Sequence, residues 1–206
     1  MPAFFRMLAD GFAPDTERLV EVARAYAAEP DPNTLARLQS EAEPPRQELF
    51  RRLNLAPGGT AELVRLRERL LPLVREGGDA FLSVDLDLQH LFGSWFNRGF
   101  LVLKPINWDT SARVLEKIIA YEAVHAIDDW DALRERLEPA DRRCFAFFHP
   151  SIPDDPLIFV EVALTREIPA RIDTVLASDR ERIKPEEAQT AVFYSISNCH
   201  QGLAGV

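Results

Sequence analysis

Arg98-Gly99-Phe100-Leu101-Val102-Leu103-Lys104-Pro105 is the stretch at which this chain changes character. Before it, apolar residues recur every three or four positions, the period of a helix face. After it, they gather in compact runs of strand length separated by turn residues. Phe100 to Leu103 is the first such run, closed by Lys104-Pro105. The change predicts an α+β protein with a boundary near residue 98: a helical bundle over 1–98 and a sheet-bearing domain over 99–206.

Working backwards, Asp79 to Phe96 carries Phe81, Leu82, Val84, Leu88, Leu91, Phe92 and Trp95. Val84-Asp85-Leu86-Asp87-Leu88 alternates as a strand does, but the helical spacing continues through Trp95, so a helix is predicted. Asp85 and Asp87 then read as exposed polar positions, with no third ligand at a spacing that would suit a metal. Gly77-Gly78 breaks the preceding helix, which starts at Thr60 and repeats Leu63, Leu66, Leu70 and Val74. Its Arg65, Arg67, Glu68 and Arg69 read as the solvated face. Pro44-Pro45 opens a helix with Leu49, Phe50 and Leu53. Asn33 caps Thr34 to Glu41, and Asp15 or Thr16 caps a helix with Leu19, Val22, Ala23 and Tyr26.

Working forwards, Asp109 or Thr110 caps a helix carrying Val114, Leu115, Ile118, Ile119 and Ala123. Asp128 or Asp129 caps another with Trp130, Leu133 and Leu137, stopped by Pro139. Strands are predicted at Cys144–Phe148, Leu157–Leu164 and Thr190–Ser197, with a proline-bearing turn over 150–156. A helix and a charged loop at Ser178–Glu187 precede the last strand. That strand runs into Asn198-Cys199-His200-Gln201-Gly202-Leu203-Ala204-Gly205-Val206. A strand ending in a glycine-bearing turn suits backbone N–H groups aimed at a phosphate, with the following helix expected past Val206.

The 206 residues carry a net charge of −9, which argues against a nucleic-acid or anionic-membrane surface for the chain as a whole. No apolar run of about 18 residues predicts a membrane span, and Met1 to Arg6 is followed by no signal-like stretch. Cys144 and Cys199 make no disulfide framework and read as buried, inert thiols, so a reducing cytoplasm is the expected compartment.

His90, His125, His149 and His200 form no zinc pattern, and no metal site is expected. His149, before Pro150, reads as a turn cap or as a cleft residue. His125 reads as a local hydrogen-bonding group. Arg142-Arg143 suits either phosphate binding or a structural ion pair. Glu161 interrupts an apolar strand. A carboxylate buried there needs a partner or a raised pKa; the alternative is that it faces solvent or a cleft.

Six separated stretches together resemble malonyl-CoA decarboxylases. They are Ser94–Leu101, Val114–Ile118 with Glu122–His125, Arg142–Phe148, Pro156–Thr165, Phe193–Ser197 and Gln201–Val206. The resemblance implies an N-terminal all-α helical bundle that mediates self-association. It also implies an incomplete acetyltransferase-like (GNAT-type) α+β domain that binds coenzyme A. Members convert malonyl-CoA to acetyl-CoA and carbon dioxide without a metal or organic cofactor. They use a serine, in a Ser-Pro-Ile-Pro-like segment after the glycine turn, and a later histidine. Both are expected past Val206, so no catalytic role is carried to Ser151, His125, His149 or His200, and the chain alone is expected to be inactive. The positions carried over are the coenzyme-binding Gln201, Gly202, Ala204, Gly205 and Val206. His200 stands where family members have a glutamine-like residue. The implied partners are malonyl-CoA, acetyl-CoA and further copies of the chain. A non-catalytic association module and an acyl-CoA-binding or acyltransfer protein are the rival readings.

Overall fold

The computed structural model describes residues 2–77 and 79–206. Their contacts form two compact units, one of residues 2–96 with Gly202–Val206 and one of Asn97–Gln201.

The first unit is helical. It contains α1 (Pro2–Gly11), α2 (Thr16–Ala28), α3 (Pro32–Ala42), α4 (Pro45–Asn54), α5 (Gly59–Arg75) and α6 (Asp79–Trp95). Sequence reading missed α1, although Phe5 and Leu8 lie on one face at helical spacing and are fully buried. Asp15 caps α2 by accepting from the Arg18 N–H. Asp31, rather than Asn33, caps α3, because Pro32 sets the first helical φ and the Thr34 hydroxyl completes a reciprocal capping box. The predicted break after α5 includes Gly78, which lies outside the described residues.

The alternating Val84–Leu88 segment is helical, as its longer-range spacing requires. α6 contacts α1, α4 and α5, while α2 packs on α3. Val84, Leu88 and Phe92 of α6 are buried, as are Phe50 of α4 and Leu63, Val64 and Leu70 of α5. Phe5 meets Phe81 edge-to-face, with ring centroids 6.5 Å apart.

Two expectations are corrected here. Asp85 and Asp87 are buried, not exposed, and Arg67 is buried rather than solvated. Asp87 pairs with Arg46 and also accepts from Gln47 Nε2 at 2.6 Å. Arg46 additionally donates to the Ala9 carbonyl at the end of α1, one of the acceptors a helix C-terminus leaves open. Asp85 pairs with Arg67. The physical reason is common to both: each aspartate lies on the inward face of α6, where an arginine from a neighbouring helix neutralises it.

The second unit is α+β. It holds β1 (Val102–Ile106), α7 (Ala112–Tyr121), α8 (Trp130–Leu137), β2 (Arg142–Phe148), β3 (Ile158–Thr165), α9 (Ile172–Leu176) and β4 (Thr190–Asn198). The strands form one antiparallel sheet in the order β1-β2-β3-β4. β1 begins two residues later than predicted, because Arg98–Phe100 forms a 3-10 turn, and it runs through Pro105. A proline is tolerated there because β1 is an edge strand. α7 starts after Ser111 rather than Asp109 or Thr110, since Asn107 and Thr110 hydrogen-bond each other in the preceding turn. Asp129 caps α8 by accepting from Ala132 N–H.

Ile106, Cys144, Ala146, Phe148 and Phe159 share one sheet face and form a core with Val114, Leu115 and Ile118 of α7 and Leu133 and Leu137 of α8. In β4 the pairing slips: Glu161 lies opposite Ser195 and Val162 opposite Phe193, so Tyr194 is an extra, bulged residue. A bulge of this kind bends a strand and re-aims its side chain.

Candidate functional site: the C-terminal turn and a buried carboxylate cluster

The predicted coenzyme-binding residues lie in and just after a short 3-10 turn, Gln201–Leu203. Gly202 to Val206 pack with the helical unit. Gly202 fits only because it lacks a side chain: a Cβ there would stand 2.2 Å from the Val64 carbonyl oxygen. Gly205 has φ +76°, a left-handed conformation that favours glycine.

Side chains of α5 and α6 hold this turn. Arg67 Nε donates to Asp85 Oδ1 at 2.7 Å, while Nη1 donates to the Gly202 carbonyl at 2.8 Å and the Ala204 carbonyl at 2.9 Å. Gln89 Nε2 donates to the Gly205 carbonyl at 2.9 Å. The Gly202 N–H donates to Glu68 at 3.3 Å, and the Val206 N–H donates back to the Leu203 carbonyl. The two latter amides are therefore engaged within the protein. With three carbonyls drawn onto Arg67 and Gln89, the turn is a fixed backbone shape rather than a loose end.

Beneath the sheet lies a second polar group. Glu161, 0% exposed, accepts from Arg136 Nη1 at 2.7 Å. Burial pushes its carboxyl up to about 7, with Arg136 opposing the rise. Among the described residues its Oε1 and the Tyr194 hydroxyl make no hydrogen bond of good geometry, although the hydroxyl lies near enough to the carboxyl to favour its charged form. Arg136 Nη2 reaches on to the His125 and Ala126 carbonyls at 2.7 and 3.1 Å.

Glu122, just past α7, gathers the other side. It accepts from the Val124 and His125 N–H groups, each at 2.8 Å, and from the Ser195 hydroxyl. Ser197 joins at 3.3 Å. The bulged Tyr194 packs beside the His125 ring and under the Arg142 guanidinium, 5.5 Å from its ring centroid. Arg142 also donates to the Val175 carbonyl, and burial followed by the nearby Arg180 lowers its pKa.

The structure thus joins Glu161, His125 and Arg142 around β3 and β4. His149 caps its turn, accepting from Ser151 N–H at 3.1 Å. Arg143 donates to two local carbonyls, those of Ala140 and Arg142. His200 lies 3.5 Å from Asp155. Burial works to raise the Asp155 pKa, but hydrogen bonds from His200 and Lys117 carry it down overall. Both cysteines are buried and unbridged, and burial raises both thiols, Cys199 to about 12. Among the described residues, no group of three or more His, Cys, Asp or Glu side chains is placed to hold a metal.

Sequence reading missed Glu122, Ser195, Ser197 and Arg136. Ser195 and Ser197 carried a usable signal, since two hydroxyls at i, i+2 in an apolar strand share one face.

Comparison with known proteins decides the relationship. The model of the malonyl-CoA decarboxylase N-terminal domain matches residues 12–96, and that of the malonyl-CoA decarboxylase C-terminal domain matches residues 99–206. The chain belongs to the malonyl-CoA decarboxylase family. The mitochondrial malonyl-CoA decarboxylase of Anser anser anser is 36% identical over 97% of this chain and 42% of its own length. That of Rattus norvegicus is 36% identical over 82% of this chain and 35% of its own.

Among solved structures, malonyl-CoA decarboxylase from Agrobacterium vitis superposes with a TM-score of 0.93 at 57% identity, over 98% of this chain and 49% of that one. The Cupriavidus metallidurans enzyme gives 0.68 at 34% identity, over 98% and 54%. The chain therefore spans about half the length of the family members it matches.

Proposed function

We propose that this chain serves the decarboxylation of malonyl-CoA to acetyl-CoA and carbon dioxide, and that its share of the work is to hold coenzyme A at the Gln201–Val206 turn. The observation that carries the reading is the match of both family domains, over residues 12–96 and 99–206, with the turn held in one backbone conformation by α5 and α6. Backbone turns of fixed shape suit phosphate groups. The decarboxylation needs a donor that stabilises the thioester enolate as carbon dioxide leaves, and an acid that protonates the resulting carbanion.

We assign neither role to a residue of this chain. The Ser151 N–H donates to His149 Nδ1 within a turn, and the His125 backbone is tied to Glu122 and Arg136. The family's serine and histidine supply these roles, with no organic cofactor or metal. The sheet is read as acetyltransferase-like, a reading supported by the antiparallel β1–β4 meander, the Tyr194 bulge and the turn that follows β4. Self-association through the helical unit is supported by the exposed Met7 and Leu55. Two unbridged thiols suit a reducing compartment such as the cytoplasm, whereas the vertebrate relatives are named as mitochondrial. Among the described residues no helix is long and apolar enough to cross a membrane.

The test pairs calorimetric titration of coenzyme A into the 206-residue chain with an acetyl-CoA formation assay from malonyl-CoA. Binding without turnover is expected. Turnover by a verified 206-residue sample would show that residues of this chain do the chemistry. An absence of any coenzyme binding would overturn the assignment of the turn.

A further inference from the structure

We propose that Arg67, oriented by Asp85, is a positioning residue for coenzyme binding: the helical unit fixes the shape, and through it the affinity, of the Gly202–Val206 turn. The inference rests on the coenzyme reading of that turn and adds to it a determinant from the helical unit.

Three observations carry it. First, Arg67 is only 2% exposed, although it is an arginine on a helix rich in charge. A buried guanidinium must find partners for its donors. It finds one carboxylate, Asp85 Oδ1 at 2.7 Å, and two backbone carbonyls, those of Gly202 and Ala204 at 2.8 and 2.9 Å. Its planar fork makes these three bonds at fixed angles, so the separation and direction of the two carbonyls are set by one side chain.

Second, Asp85 leaves Arg67 little freedom. It sits on α6, buried, and binds Nε, which leaves the Nη1 end to face the turn. Third, the turn is clamped around this contact. Val64 leaves no room for a Cβ at Gly202, Glu68 accepts the Gly202 N–H, and Gln89 holds the Gly205 carbonyl. Drawing carbonyls inward onto a cation presents the opposite side of the same peptide units outward, because each carbonyl and the following N–H point in opposing directions across a planar peptide. The Leu203 N–H closes the 3-10 turn, whereas the peptide of Ala204 carries the N–H of Gly205. Pulling the Ala204 carbonyl onto Arg67 turns that amide away from the helices, toward where a phosphate would lie. A cation behind the turn also adds to its attraction for an anion.

The same unit supplies a matched control. Arg46 and Asp87 form an equally buried pair on α4 and α6, but their partners are Gln47 and the end of α1, not the turn. A variant at Arg46 disturbs the helical packing without touching the turn.

The experiment compares the parent chain with Arg67→Gln, Arg67→Lys and Arg46→Gln. Two readouts are taken: coenzyme A affinity by calorimetry, and amide hydrogen exchange over residues 202–206. Arg67→Gln is expected to weaken coenzyme A at least 10-fold and to speed exchange in the turn. Arg67→Lys, a charge without the fork, should fall between it and the parent. Arg46→Gln should lower the melting temperature while leaving affinity within about 2-fold and the turn protected. Equal exchange in the turn for the parent and Arg67→Gln overturns the positioning role, whatever the affinities. Faster exchange only in the Arg67 variants, in a chain that binds no coenzyme A, upholds the positioning of the turn and overturns the coenzyme reading instead.

Discussion

Glu161 Oε2 and Arg136 Nη1 meet at 2.7 Å beneath the sheet, yet the carboxyl of the pair titrates near neutrality rather than well below it. The reason is a contest that burial wins. Glu161 lies on β3 between Cys144 of β2 and Ser195 of β4 and faces Arg136 of α8, so its charged form loses hydration, and one guanidinium does not repay the loss. Glu122 adds a further push in the same direction.

The sign of the pH dependence follows. The Glu161 pKa rises from about 4.5 to about 7 on folding. Below about 4.5 the group is protonated in both states and its contribution to stability is fully present. Between about 4.5 and 7 the unfolded chain releases a proton that the folded chain keeps, so stability falls as pH rises. The loss reaches about 3 kcal/mol above pH 7. Urea unfolding at pH 5 and pH 8 measures it. Glu161→Gln should flatten the dependence in that window; an unchanged slope would place its origin in another group.

What the sequence made legible divides along a physical line. Helix faces and strands were readable because apolar period is local: Leu63, Leu70, Leu88 and Phe92 are buried where the spacing put them. Glu161 stood out in its apolar strand, but strand neighbours alternate in direction, so the sequence left burial and a solvent- or cleft-facing position open, and the structure buries it. Partners were not. Arg67 and Asp85 are far apart in sequence from the Gly202 and Ala204 carbonyls, and no local pattern distinguishes a charge that will be neutralised from one that will be solvated. Arg136 hides in the same way within an ordinary charged helix. α1 went unseen because its short run ends at Gly11, before the period repeats often enough to be distinctive.

Gly202→Ala tests how closely the turn is packed. The added methyl would lie 2.2 Å from the Val64 carbonyl oxygen, so the backbone must shift. The expected cost is about 1–3 kcal/mol, typical of overpacking. Gly11→Ala is the comparison: nothing lies within 4 Å of its Cβ, and its effect should be small. Thermal melts of the two variants side by side decide the point, and equal melting temperatures would contradict the close approach at Gly202.

The thiols should be chemically silent in the folded chain. Cys144 and Cys199 are buried, and burial raises the pKa of each, so little thiolate forms and little reagent reaches it. Titration with a thiol-reactive chromophore at pH 8 should be slow in buffer and should reach two equivalents within minutes in urea. Rapid modification of the native protein would show that the core around Cys144 opens readily.

The last prediction concerns the sheet face opposite α7 and α8. Phe193 is 65% exposed and Ile196 61% exposed, and both lie on β4, an edge strand. Apolar side chains grouped on an edge strand attract apolar probes and invite pairing with other chains. The protein should therefore enhance the fluorescence of a hydrophobic dye under native conditions. Replacing both residues with serine should lower that signal severalfold while shifting the melting temperature little, because neither side chain contributes much buried area. A signal that survives the double substitution would mean that the dye binds elsewhere, for example in the open apolar groove beside Phe4, Leu53 and Leu66. A large fall in melting temperature would mean that these two side chains are covered in solution.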